Sequence, residues 1–228
     1  MIFMSDYERI TDVSSRYVLG IDESNHGHFP EIVVGVWSND LSSANPGRLG
    51  KIRCNERGLS IPDILKNKGC AYLRINESDV QKVVNLHNAK LVAYAELIKA
   101  VCQRILKEHS FGILESIIID EESKGWLSEK DTCILRTIVS PFEIRNNQVI
   151  MAQGADEAYP IVNIADNIAN LLFRKTRSNG KPEESDDYKV EVRFENYARL
   201  FVISGIKGKK HKVICVKKPA FLRRAIRR

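Results

Sequence analysis

The stretch YVLGIDES, Tyr17 to Ser24, decides the fold. Tyr17-Val18-Leu19-Gly20-Ile21 is apolar at successive positions, as in a central strand covered on both faces, and lacks the alternation of a half-exposed one. It ends on two acids, Asp22 and Glu23. A second run, Glu31 to Ser38 (EIVVGVWS), reads as its hairpin partner, because Asn25-His26-Gly27-His28-Phe29-Pro30 between them carries turn residues.

Working outward, Asn39 to Gly69 is a polar, loop-rich insertion, and Cys70 to Asn76 is a third strand. Ser78-Asp79-Val80-Gln81 has capping-box spacing, and the chain then runs to Glu108 without Pro or Gly, so the longest helix is expected there. Ile113 to Asp120 (ILESIIID) is a further buried strand, Ser128 to Val139 a helix, Gln148 to Ala152 a short strand and Pro160 to Arg174 a second clear helix. Lys189 to Phe194 (KVEVRF) alternates as an exposed strand would. Strands first, then strands alternating with helices, predict an α/β sandwich with a mixed central sheet flanked by helices.

With 228 residues, 43% of them hydrophobic, the chain can bury one continuous core. No stretch approaches the roughly 18 to 20 apolar residues of a membrane span, and Met1 to Arg9 has no basic-then-apolar leader pattern, so an intracellular, cytoplasmic protein is expected. The five cysteines (Cys54, Cys70, Cys102, Cys133, Cys215) are scattered without a Cys-x-x-Cys pair, as reduced buried thiols are. Charge is unevenly placed. From Gly205 to Arg228 there are ten basic residues (Lys207, Lys209, Lys210, Lys212, Lys217, Lys218, Arg223, Arg224, Arg227, Arg228) and no acid, so a total of +6 leaves about −4 for everything before. Such a tail suits the phosphate backbone of a nucleic acid; a solvated, solubilising tail is the plainer alternative.

The acids carry the chemistry. Asp22-Glu23 and Asp120-Glu121-Glu122 end apolar strands, where carboxylates are costly unless a cation compensates them. On a regular strand Asp22 and Glu23 face opposite sides, so both reach one site only if the strand ends or bulges there. Asn163, Asp166, Asn167 and Asn170 share one helix face, which is either its wet face or an inward-pointing ligand with supporting amides; Asp156 lies in the loop entering that helix. Three or four convergent carboxylates suit a pair of Mg2+ or Mn2+ ions roughly 4 Å apart, which activate water and stabilise the leaving oxygen in phosphodiester cleavage. None of the five histidines is paired with a nucleophile in a motif; His26 and His28 lie within reach of the acids.

In this order of motifs the sequence resembles the ribonuclease H superfamily, and type 2 ribonuclease H in particular. Gly20-Ile21-Asp22-Glu23-Ser24 precedes Gly27 and Ile32-Val33-Val34-Gly35-Val36 as the family's first strand, glycine loop and second strand do. Asn85-Leu86-His87-Asn88-Ala89-Lys90-Leu91-Val92-Ala93 fits its Asn-x-x-Asn-Ala-x-x-x-Ala helix, Ile118-Ile119-Asp120 its next metal-binding strand end, and Ala155-Asp156-Glu157-Ala158-Tyr159-Pro160 its Ala-Asp-x-x-Tyr-Pro segment. The resemblance spans about residues 17 to 175 and implies a ribonuclease H-like fold, expected over 17–204; composition and charge make 1–16 a loose arm, 39–69 an insertion and 205–228 the basic tail. It implies Asp22, Glu23, Asp120 and Asp156 as the metal set, with Asp166 replacing or supplementing Asp156, since other nucleases of the superfamily take their last carboxylate from a helix. The family's Gly-Arg-Gly loop is Asn25-His26-Gly27 here, and its lysine before the last Ala-Asp is Gly154, so junction-specific hydrolysis is not implied. The expected activity is a Mg2+- or Mn2+-dependent nuclease acting on an RNA:DNA hybrid, or on a single strand as an exonuclease. His26 and the tail lysines and arginines would hold the substrate. The alternatives are a catalytically inactive nucleic-acid-binding module of the same fold and an interaction scaffold.

Overall fold

The computed structural model describes residues 15–24, 28–47, 59–109, 112–121, 129–142, 148–177 and 186–201. Five strands form one sheet: β1 (Arg16–Ser24), β2 (Glu31–Ser38), β3 (Gly69–Ile75), β4 (Ile113–Glu121) and β5 (Val149–Gln153), in the order β3-β2-β1-β4-β5. β1 is central. It pairs antiparallel with β2 and parallel with β4, and β4 pairs parallel with β5, so the sheet is mixed as expected.

Both faces of β1 are buried because a helix covers each. Leu19 and Ile21 face a core shared with α3 (Leu86–Glu108), while Val18 and Gly20 face α6 (Pro160–Arg177). Gly20 sets the second contact. A Cβ there would stand 2.7 Å from the backbone carbonyl carbon of Ile161, so only glycine lets α6 lie this close to the strand. The remaining helices are α1 (Ile61–Leu65), α2 (Glu77–Lys82), α4 (Glu129–Val139) and α5 (Ala155–Ala158). None of the described helices is long and apolar enough to cross a membrane.

Three expectations change. The long helix is two helices, α2 and α3, interrupted where Val84 takes φ 84. Asn76, not Ser78, opens the first, its backbone N–H donating to Asp79 at 3.0 Å; Asn85 opens the second by accepting from the Asn88 N–H at 2.8 Å. The insertion is not all loop, since α1 starts on a Ser60/Asp63 capping box and a 3-10 turn spans Leu41–Ala44; residues 48–58 lie outside the described ones. Residues 189–194 form no strand. They touch β3 through a single bridge from Lys189 to Tyr72, and Phe194–Leu200 coils into a 3-10 segment that buries Phe194 and Tyr197 against the α3-side core. The alternation of Val190 and Val192 serves that packing rather than a ladder. Cys70 and Cys102 are buried free thiols, and burial pushes each up to about 12.

Candidate active site

The site forms where β1 and β4 end side by side. Their register runs through Ile21 opposite Ile119, which makes Asp22 and Asp120 the next residues on adjacent parallel strands, both on the α6 face. Asp22 is 5% exposed, and its Oδ1 accepts the Glu23 backbone N–H at 2.7 Å. Burial holds its carboxyl well above the usual aspartate range, and the negative charges of Glu23, Asp120 and Asp166 push it the same way; only that N–H opposes them. Among the described residues no cation relieves it.

Asp120 is half-buried and accepts the backbone N–H of Ala155 at 2.8 Å. Ala155 opens α5, entered through Gly154 at φ 67, a left-handed turn that a side chain would strain. The strand-end acid thus anchors α5, the short helix that carries Asp156 where a loop was expected from the sequence. Asp166 is half-buried on α6 and held by Asn170, whose amide donates to its Oδ1 at 2.7 Å and to its carbonyl at 3.0 Å. Asn163 and Asn167 are 4% and 3% exposed, so the asparagine stripe is not a wet face. Asn163 donates to the Asp156 carbonyl at 2.9 Å, and Asn167 to the Asn163 carbonyl at 2.7 Å, tying α5 to α6.

Of the acids singled out in the sequence, Glu23, Asp120 and Asp166 each act electrostatically on Asp22. Asp156 is buried one residue beyond the N–H that Asp120 accepts, and is not among the charges that raise Asp22. Glu23 faces the other way, as strand geometry requires. Its Oε1 receives the Lys90 ammonium at 2.9 Å and its Oε2 the Tyr94 hydroxyl at 2.7 Å, and Lys90 also lies 2.8 Å from Glu31. Lys90 is a buried charge-compensating residue that apolar periodicity alone does not single out. Its signal is a lysine at i+4 from Leu86 and i−4 from Tyr94, on the stripe of α3 that faces the sheet. His28 is exposed; His26, Glu122 and the basic residues from Lys207 to Arg228 lie outside the described residues.

The donors are hard carboxylate oxygens, which fit Mg2+ or Mn2+ in kind. Among the described residues, no three His, Cys, Asp or Glu side chains close into a group that could hold a metal as they stand. The buried thiols at about 12 are not thiolates and offer no nucleophile.

No family model matches the sequence, and no curated protein matches it. Solved structures do. The chain is similar to one of the PCNA:RNase HII complex from Archaeoglobus fulgidus, with 18% identity, a TM-score of 0.49 and coverage of 87% of this chain and 98% of that one. It is similar to Bst-RNase HIII in complex with Mn2+ at 17% identity and a TM-score of 0.49, covering 73% of this chain and 54% of that one. The ribonuclease H2 from Pyrococcus horikoshii OT3 is similar at 14% identity and a TM-score of 0.46, covering 79% and 83%. Each likeness is distant, and the α/β fold is read from the mixed sheet and its flanking helices themselves.

Proposed function

We propose that the protein is a divalent-metal-dependent nuclease that hydrolyses phosphodiester bonds in nucleic acid. One observation carries this reading: Asp22 is buried beside Asp120 and Asp166 with no cation against it among the described residues, a cost that a bound metal would offset. In this reading Asp22, Asp120 and Asp166 hold Mg2+ or Mn2+, and Asp156 supplements them from the start of α5. Glu23 is a poorer donor, because both its oxygens are already engaged by Lys90 and Tyr94. The bound metal supplies an activated water and stabilisation of the leaving oxygen. Asn170 fixes the Asp166 carboxylate, and the Ala155 N–H fixes that of Asp120, so each keeps its orientation before substrate arrives.

For substrate we propose an RNA:DNA hybrid or a single strand, the latter trimmed as an exonuclease would. The basic residues from Lys207 to Arg228, together with His26, would contact its phosphates. With Gly154 where the family's lysine would stand and Asn25-His26-Gly27 in place of its arginine loop, the reading favours the less specific substrates. The second reading is a nucleic-acid-binding module without turnover; the fact that favours it is that no three acids among the described residues close on a common point.

Labelled hybrid, single-stranded DNA and single-stranded RNA are each incubated with Mg2+, Mn2+ or chelator, using wild type and Asp22→Asn. Cleavage that needs both the metal and Asp22 is expected. Binding with no metal- and Asp22-dependent cleavage of any substrate supports the second reading and sinks the first.

A further inference from the structure

Two buried polar atoms beside the acid cluster have no hydrogen-bond partner: Ser24 Oγ and Arg74 Nε. Ser24 is 2% exposed, the residue at which β1 ends. The sheet register sets Ser24 opposite Ile32, and Ile32 opposite Arg74, so the three form one row across β1, β2 and β3. Strand alternation puts Ser24 on the face of Asp22, two residues earlier, and Arg74 on that of Tyr72, which packs in the α6-side core. The preceding row on this face is Asp22, Val34, Tyr72, continued by Asp120 on β4. Ser24 and Arg74 therefore stand one row beyond the acids, toward the sheet edge on which β1 ends, with roughly 10 Å between their Cα atoms at two strand spacings.

A hydroxyl and a guanidinium N–H left unpaired in a protein interior need an explanation, and a ligand absent from the structure is one. Both are donors, and both face the side where the acids gather. The Arg74 guanidinium carbon lies 5.9 Å from the centre of the Tyr72 ring, within cation–π range, and a guanidinium carries N–H donors that can bind an oxyanion. Among the described residues no carboxylate forms an ion pair with Arg74, so its charge is available to a ligand.

We propose that Ser24 and Arg74 form a subsite for a backbone phosphate of the nucleic acid, adjacent to the phosphodiester that the acids would address. This rests on the nuclease reading only for which phosphate is bound, not for whether one is. An acid cluster repels its substrate, and a cation one row away would set the strand's register while staying clear of the metal ligands.

The test is equilibrium binding of a short labelled single strand to the full chain in chelator across a salt series, for wild type, Arg74→Ala, Arg74→Lys and Ser24→Ala. Arg74→Ala should weaken binding about tenfold and lower the slope of log affinity against log salt by about one. Arg74→Lys should keep the slope and lose part of the affinity, as a point charge replacing a fork does. Ser24→Ala should weaken binding a few-fold with the slope unchanged. In the cleavage assay Arg74→Lys should raise KM more than it lowers kcat. Should Arg74→Ala fail to fold, Arg74→Gln, which removes the charge and keeps an amide N–H, carries the same slope test. An affinity and slope equal to wild type in the charge-removing variants overturns the subsite. The two readings fail separately: an Arg74-dependent slope in a chain that never cleaves upholds the subsite and sinks the nuclease, whereas Asp22-dependent cleavage with an unchanged slope does the reverse.

Discussion

Replacing Lys90 with methionine should destabilise the protein severely, and the structure says by how much. Lys90 is 1% exposed, and its ammonium serves Glu23 at 2.9 Å and Glu31 at 2.8 Å, whose side chains are 3% and 0% exposed. Methionine is unbranched and adaptable, so the change removes a charge and leaves little cavity. Removing one partner of a buried ion pair costs about 3–5 kcal/mol, because the other charge stays behind. Here two acids lose one cation, and although Tyr94 still donates to Glu23 at 2.7 Å, the upper part of that range applies, about 4–5 kcal/mol. A net stability of about 5–15 kcal/mol leaves such a variant near the edge of folding. Denaturant titration followed by circular dichroism at neutral pH should show a lower midpoint at unchanged slope. Acid should restore part of the loss. In the variant, protonating an acid left without its cation removes the uncompensated buried charge, so the loss is largest at neutral pH and smaller in acid. Adding Glu31→Gln to Lys90→Met should recover stability for the same reason. A loss below about 1 kcal/mol at neutral pH, or one that does not shrink on mild acidification, refutes the argument, since a buried pair that can be broken so cheaply was not desolvated.

Asp22→Asn should melt higher than wild type in chelator at neutral pH. Burial and the charges of Glu23, Asp120 and Asp166 raise the wild-type carboxyl, so the stability tied to its protonated form is lost as pH climbs above the ordinary value of 3.8 and through the raised one. Scanning calorimetry across pH checks this, and a variant that melts lower at neutral pH counts against it. Gly20→Ala drives a methyl to 2.7 Å from the α6 backbone at Ile161, which cannot rotate away; a cost of about 1–3 kcal/mol by denaturation is expected, with weakened Mn2+ binding by calorimetry as Asp166 moves off Asp22. Asp120→Ala removes the acceptor for the Ala155 N–H and should cost about 1 kcal/mol, as loss of a helix cap does, whereas Asp120→Asn keeps an acceptor and should retain stability while losing metal affinity. Equal stability of the two Asp120 variants would show that the Ala155 contact contributes nothing.

Where one physical signal dominated, the sequence was readable. β1 and β2 were legible because runs of branched residues with no polar alternation leave no other structure open to them, and α6 was legible because a proline-led stretch repeats its apolar residues at helical spacing. Competing signals were misread. Val84 continues an apolar pattern yet sits at positive φ, because Asn76 and Asn85 each cap a helix and two capped helices leave a joint between them. Residues 189–194 alternate like a strand, but β3 already pairs with β2 along its length and offers the segment a single bridge. Asp22 and Asp120 could be placed from strand ends alone. That the charge of Asp166 reaches Asp22 could not be read from sequence, because it depends on how α6 packs on β1 at Gly20, a contact more than a hundred residues away in the chain.

The Asp22-Glu23 pair shows how differently the two faces of the sheet treat a buried acid, and it supports the proposal that the site lies on the α6 face. The two acids are neighbours on one strand, 5% and 4% exposed, and meet opposite treatment. Glu23 receives a lysine and a tyrosine, the compensation a structural buried acid requires. Asp22 receives one backbone N–H and the repulsion of Asp120 and Asp166. The fold places a cation directly against Glu23 on the α3 side, whereas among the described residues none is paired with Asp22 on the α6 side. A charge arrangement that repels itself and is held in place by Asn170 and the Ala155 N–H persists because the rest of the fold is stable enough to support it. Among the described residues nothing relieves it, so adding a divalent cation is the perturbation to which this protein should respond if the nuclease reading holds.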